Sequence, residues 1–138
     1  MYHKWIMEQI FVTMVLALAV LLGLLTAWSS GAAPAKFAED LGLSIINAGG
    51  RNEIMAQYTC LFLAMAAVCA AALVGAVPRQ AALIVLAVIF GGLLVGRLVS
   101  LPLNGGIAGY SRTIVSLYAI DAVGLALTAA ALVLNNHG

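Results

Sequence analysis

Four long apolar runs constrain this chain more than any other feature. Ile10–Trp28 and Ile54–Val77 contain no charged residue, Ala81–Leu101 contains only Arg97, and Thr113–Leu134 contains only Asp121. A bilayer core about 30 Å thick is crossed by a helix of about 20 apolar residues. Inside lipid, each segment must satisfy its own backbone donors and acceptors, which leaves helices and closed barrels. Stretches such as VLALAVLLGLL are apolar on every side, whereas barrel strands alternate apolar and polar residues. The expected fold is therefore all-α: a polytopic membrane protein with four transmembrane helices in an antiparallel bundle. The spans are placed at about 10–28, 54–77, 81–101 and 113–134, and together they form a single domain over 1–138.

Composition agrees. The 138 residues are 64% hydrophobic and only 8% charged, with a mean hydropathy of +1.13. A soluble domain carries about 25% charged residues. No separate catalytic or soluble domain is expected. A net charge of +1 provides no basic field for nucleic acid. Lys4 before the first run and SSGAAPA after it imitate a secretory signal, but the run is expected to remain as a membrane anchor. Trp5 and Trp28 flank it as interface residues do. Cys60 and Cys69 are too far apart on a helix for a disulfide and wrongly spaced for a redox or zinc motif; both are expected to be buried free thiols. No metal or cofactor is expected.

The links differ in length. Pro78 breaks helix continuity, so Val77–Gln80 is expected to be a tight turn that makes the second and third helices a hairpin. Leu103–Ser111 is a second short, glycine-bearing link. The first link, Ser29–Glu53, is long enough to need structure of its own. Pro34 is suited to open a helix, and Phe37, Leu41 and Ile45 recur every four residues. This predicts either a short helix on the membrane surface or a loop packed over the bundle. Lys4 and Arg79 fall on one side of the membrane, and Lys36, Arg51 and Arg112 on the other. If Arg51 is engaged in protein contacts, the amino terminus tips the balance towards cytoplasmic termini.

Polar residues inside the spans point to one leaflet. Arg97 near the end of the third helix and Asp121 inside the fourth are at depths that an arginine side chain bridges, so an ion pair is expected. Glu53 and Gln57 share a face at helical spacing, and Tyr118 lies three residues before Asp121. Glu53, Gln57, Arg97, Tyr118 and Asp121 are thus expected to converge, with Arg51 and Asn52 nearby. Ionisable groups in a span are costly and face the bundle interior in pairs. The cluster is readable as a structural clasp, a ligand site or a contact with another subunit. Gly92 and Gly96 form a GxxxG element, and Ala122 and Ala126 lie on one face of the fourth helix; both are expected to mark close helix packing.

Several of these features occur together in a known family: Asn52-Glu53 opens the second helix, Gly91-Gly92 and then Gly96-Arg97-Leu98-Val99-Ser100 close the third, a glycine-bearing link follows, and the fourth helix holds an acidic residue. In this order of parts, over Ala48–Leu134, the chain resembles the bacterial membrane family designated "domain of unknown function" forty-three forty-five. The resemblance implies four helices in a bacterial cytoplasmic membrane and no assigned reaction. Where that family carries glycines early in the second helix, this chain has Tyr58-Thr59-Cys60, which argues against close helix approach there.

Catalytic readings find little support. The only histidines, His3 and His137, fall in the terminal tails, so no Ser-His-Asp set is available. Arg51, Asn52 and Glu53 are the residue types that four-helix glutathione transferases use, but as consecutive residues they point in three directions. Transport needs a polar path, and Thr13 and Thr128 are the main polar residues of the other leaflet; an oligomer would be required. The expected function is that of a small integral membrane protein without chemistry of its own, either an accessory subunit of a larger complex or a binder of lipid or another apolar ligand. Its partners would be membrane lipids, other membrane subunits or further copies of itself.

Overall fold

A computed structural model describes residues 2–135, and every regular element among them is helical. Four helices are long and apolar enough to cross a membrane: Tyr2–Ala32, Ala48–Leu73, Arg79–Leu103 and Arg112–Asn135. They are called here the first to fourth spans. Each extends past the apolar run that defines it, except at one end. The first span begins eight residues before Ile10, so His3 lies in a helical turn rather than a tail; His137 lies outside the described residues. Helix formers with an i,i+4 Lys4–Glu8 pair at 3.8 Å support that extra length. The span stops where Pro34 forces Ala33 out of helical geometry.

The exception is the carboxyl end of the second span. It stops at Leu73 rather than Val77, and Gly75, not Pro78, stops it. Gly75 adopts φ +78°, and the amide of Ala76 reaches back to the Ala71 carbonyl at 2.8 Å, the six-to-one closure that a left-handed glycine permits. Pro78 instead caps the start of the third span.

The first link combines both expectations. Pro34–Asp40 is a helix, and it lies over the bundle with Ala38 fully buried and the Phe37 ring edge-on to Tyr58 at 5.1 Å. Ile45 does not belong to it. Gly42 at φ +75° ends the helix through a 2.8 Å bond from Leu43 to Ala38, so the four-residue periodicity outlasts the helix.

The second span is not a uniform α-helix. Met55–Cys60 is a π-helical segment, of the sort found within α-helices at functional sites. Here the first span approaches closely, contrary to expectation: Ser30 and Thr59 hydroxyls hydrogen-bond at 2.8 Å, and a Cβ on Gly31 would come within 3.1 Å of Thr59. The missing glycine is supplied by the opposite helix.

Packing divides the bundle along its length. Val12, Leu16, Cys69, Leu83, Leu86 and Ala131 are fully or almost fully buried, in the half that contains Gly75–Pro78. Gly23 admits the second span, where a Cβ would meet the Phe62 carbonyl at 2.7 Å, and Gly124 receives the Phe90 ring, also at 2.7 Å. Towards the other end the second and third spans separate. The second has no buried residue between Ile54 and Met65, and the third has none beyond Phe90. Two contacts fix the sidedness of the links: Arg79 donates to Gln9 at 3.2 Å, and Ser111 donates to the Asp40 carbonyl at 3.1 Å.

Small residues expected to mark close packing meet no other helix within this chain. Gly92, Gly96, Ala122 and Ala126 are exposed, and a Cβ on either glycine would meet nothing within 4 Å. Glycines 23, 31 and 124 mark the close approaches, because ring and backbone neighbours, rather than motif spacing, decide where a side chain cannot fit. Cys69 is buried, but Cys60 is exposed on the outer face of the π segment.

Candidate functional site: a cavity between diverging spans

The space opened by the diverging spans is a cavity of about 330 Å³. Leu22 of the first span, Leu61 and Phe62 of the second, Ile89 and Leu93 of the third, and Leu117 of the fourth form its apolar wall, and Phe37 of the link helix and Leu41 just after it border its end. Its polar groups are Gln57, Tyr58, Arg97 and Asp121, joined by Thr26 and Thr113. Ligand sites are commonly 300–1,000 Å³, mostly apolar, with a few convergent polar groups, and this cavity has that character.

Arg97 and Asp121 form the expected ion pair, with Arg97 Nε on Asp121 Oδ2 at 2.5 Å. The Asp121 side chain is 4% exposed and that of Arg97 22%, so the carboxylate is the buried member and the guanidinium reaches outwards. Tyr118 supports the arginine rather than the cavity. Its hydroxyl donates to the Arg97 carbonyl at 2.8 Å, its ring lies 5.9 Å from the guanidinium carbon, within cation–π range, and Ser100 donates to the same carbonyl at 2.9 Å.

Beyond Arg97 lies a second space of about 430 Å³, a vestibule at the end of the bundle bordered by Ser100, Tyr110, Ser111 and Tyr118. Arg97 and Leu41 border both spaces. Tyr110 stacks on Tyr118 at 6.2 Å and accepts a 3.1 Å hydrogen bond from the Asn104 amide. That bond, then the adjacent Tyr118 hydroxyl, lowers the pKa of the Tyr110 phenol below its usual value.

Three expected members stand apart. Arg51, Asn52 and Glu53 are exposed and border neither space. Glu53 and Gln57 share a face only on an uninterrupted α-helix. The π segment inserts extra backbone per turn, so Glu53 and the residues that follow Met55 do not keep one face. Tyr58 occupies the cavity wall instead. Tyr58 and Tyr110 were not among the expected members of the cluster, although an aromatic residue with a polar tip near the end of a span is a recognisable signal. In the other leaflet, Thr13 and Thr128 hydrogen-bond to carbonyls of their own helices at 2.8 and 2.7 Å. Among the described residues, no group of three or more His, Cys, Asp or Glu is placed to hold a metal.

A four-span bundle with an arginine–aspartate pair at the mouth of an intramembrane cavity is the class defined by this geometry. The chain belongs to the family described as Domain of unknown function (DUF4345), which matches residues 8–132. No curated protein and no solved structure matches it.

Proposed function

We propose that this protein binds a lipid or a similar amphiphile in the cavity between its second and third spans, in the cytoplasmic membrane of a bacterium. The observation that carries the reading is the one-ended distribution of polarity: an apolar wall to which all four spans contribute leads to Gln57, Tyr58, Arg97 and Asp121 at one end. An acyl chain fits the apolar part, and a polar head fits the end that faces the links. Chemistry on the ligand is not part of the proposal, because the polar groups are a paired guanidinium and carboxylate, an amide and a phenol, with no activated nucleophile among them.

Native mass spectrometry of protein extracted gently from its own membrane tests this. Lipid retained at a fixed stoichiometry through detergent exchange supports a binder. Protein that sheds all lipid and runs instead within a stoichiometric larger complex contradicts it, and makes the chain an accessory subunit. That second reading has its own support in the exposed small-residue face of Gly92, Gly96, Ala122 and Ala126, which suits close contact with another helix.

The proposed orientation has cytoplasmic termini. Arg51 is exposed, so it does not drop out of the charge count as the sequence argument required. Lys36 is paired with Asp40 at 2.8 Å and Lys4 with Glu8 at 3.8 Å, which leaves Arg51 and Arg112 on the link side balanced by Arg79 and the amino terminus on the other.

A further inference from the structure

Arg97 has more hydrogen-bonding capacity than the protein uses. A guanidinium has five N–H donors. Nε serves Asp121, and neither terminal nitrogen meets a protein acceptor among the described residues. Arg97 borders the vestibule as well as the cavity, so these donors belong to the boundary between the two.

The vestibule has few other unused donors. Ser100 and Tyr118 donate to the Arg97 carbonyl, and Ser111 donates to the Asp40 carbonyl. Tyr110 accepts from Asn104, and its own O–H, beside the Tyr118 and Ser100 hydroxyls, can rotate towards the space. Among the described residues no carboxylate borders the space: Asp121 lines the cavity side, and the Asp40 side chain is taken by Lys36. What remains is one guanidinium edge and one phenol donor, with no opposing negative side chain.

We infer that the vestibule is a subsite for an oxyanion, with a phosphate monoester as its best-fitting form. A phosphate monoester has three terminal oxygens; two suit the guanidinium fork, as in bidentate arginine–phosphate pairs, and the third suits the Tyr110 hydroxyl. The Asp121 pair on Nε and the Tyr118 ring hold the guanidinium in place without occupying its far edge. Because Arg97 and Leu41 are common to both spaces, a head bound here leaves its tail able to enter the cavity; the tail assignment rests on the proposed lipid-binding function, whereas the anion assignment does not.

The test compares retention of dioleoyl phosphatidic acid and dioleoylglycerol, which share their chains and differ in the phosphate, by native mass spectrometry of the purified protein. The wild type is expected to retain phosphatidic acid about tenfold more strongly, the scale of a charge-assisted pair. Tyr110→Phe should reduce that preference several-fold. The double variant Arg97→Gln/Asp121→Asn, which leaves no lone buried charge, should abolish it while dioleoylglycerol is still held. Equal retention of both lipids by the wild type overturns the subsite and leaves the cavity reading standing. Retention of neither removes the cavity reading; the subsite then stands if inorganic phosphate alone raises the thermal unfolding temperature and Tyr110→Phe diminishes the rise, which assigns the site to a free anion. Absence of that rise overturns it.

Discussion

Tyr118 holds Arg97 at two points, donating its hydroxyl to the Arg97 carbonyl at 2.8 Å and placing its ring 5.9 Å from the guanidinium carbon. With Asp121 on Nε, the arginine is held at its backbone, beside an aromatic ring and at one nitrogen. Flexibility that a membrane arginine would otherwise use to reach the headgroups is removed, and the residue becomes a fixed partition between an apolar cavity and a polar vestibule.

Removal of Asp121 tests the clasp component of this arrangement. Asp121→Ala leaves a partly buried guanidinium without its counterion, and breaking a buried pair costs about 3 kcal/mol. Chemical unfolding in mixed micelles should show a loss of that order. Arg97→Gln combined with Asp121→Asn should recover much of it, and a double variant as unstable as the single one would show that the charge pair is not the source.

Glycine substitutions separate the packed faces from the open ones. Gly124→Ala drives a methyl to 2.7 Å from the Phe90 ring, and overpacking of this kind costs about 1–3 kcal/mol. Gly92→Ala meets nothing within 4 Å and should be neutral or stabilising by up to about 1 kcal/mol through helix propensity. A fall in thermal stability for Gly92→Ala would mean that this face is covered by another helix in the membrane.

The Ser30–Thr59 bond anchors the π segment to the first span. Thr59→Val keeps the shape and removes the hydroxyl; interhelical bonds of this type average about 0.6 kcal/mol in membranes. Ser30 retains its 2.8 Å bond to the Thr26 carbonyl, so no buried group is stranded. Unfolding titrations should find a loss near that value, and a loss several times larger would show that the segment depends on the bond for its geometry.

Orientation is open to cysteine labelling in a background without Cys60 and Cys69. Gln80, in the first turn of the third span, and Ile107, in the last link, are exposed on opposite sides of the bundle. With cytoplasmic termini, a membrane-impermeant maleimide added to intact cells should label Ile107→Cys and spare Gln80→Cys. The reverse pattern would invert the assignment.

The sequence made the spans legible because lipid imposes one rule on every residue of a run. The Arg97–Asp121 pair was legible too, since two opposite charges at matched depth in adjacent antiparallel helices have few other partners. What escaped was governed by backbone detail. Gly75 ends the second span before Pro78 is reached, and the π segment separates Glu53 from Gln57 although their spacing fits an α-helical face. The GxxxG element at Gly92 and Gly96 marks no contact within the chain for a different reason: a motif records where close approach is permitted, and within this bundle Phe90 on Gly124 is where it occurs.

Photocrosslinking tests lipid occupancy of the cavity most directly. A phospholipid with a diazirine near the end of one acyl chain, incorporated with the protein into bilayers and illuminated, should label the cavity wall at Phe62, Met65, Ile89 and Leu93 in preference to outward-facing Val88, Val95 and Val133. Adducts spread over the outward-facing residues, with the inner wall unlabelled, would contradict a lipid-binding cavity between the second and third spans.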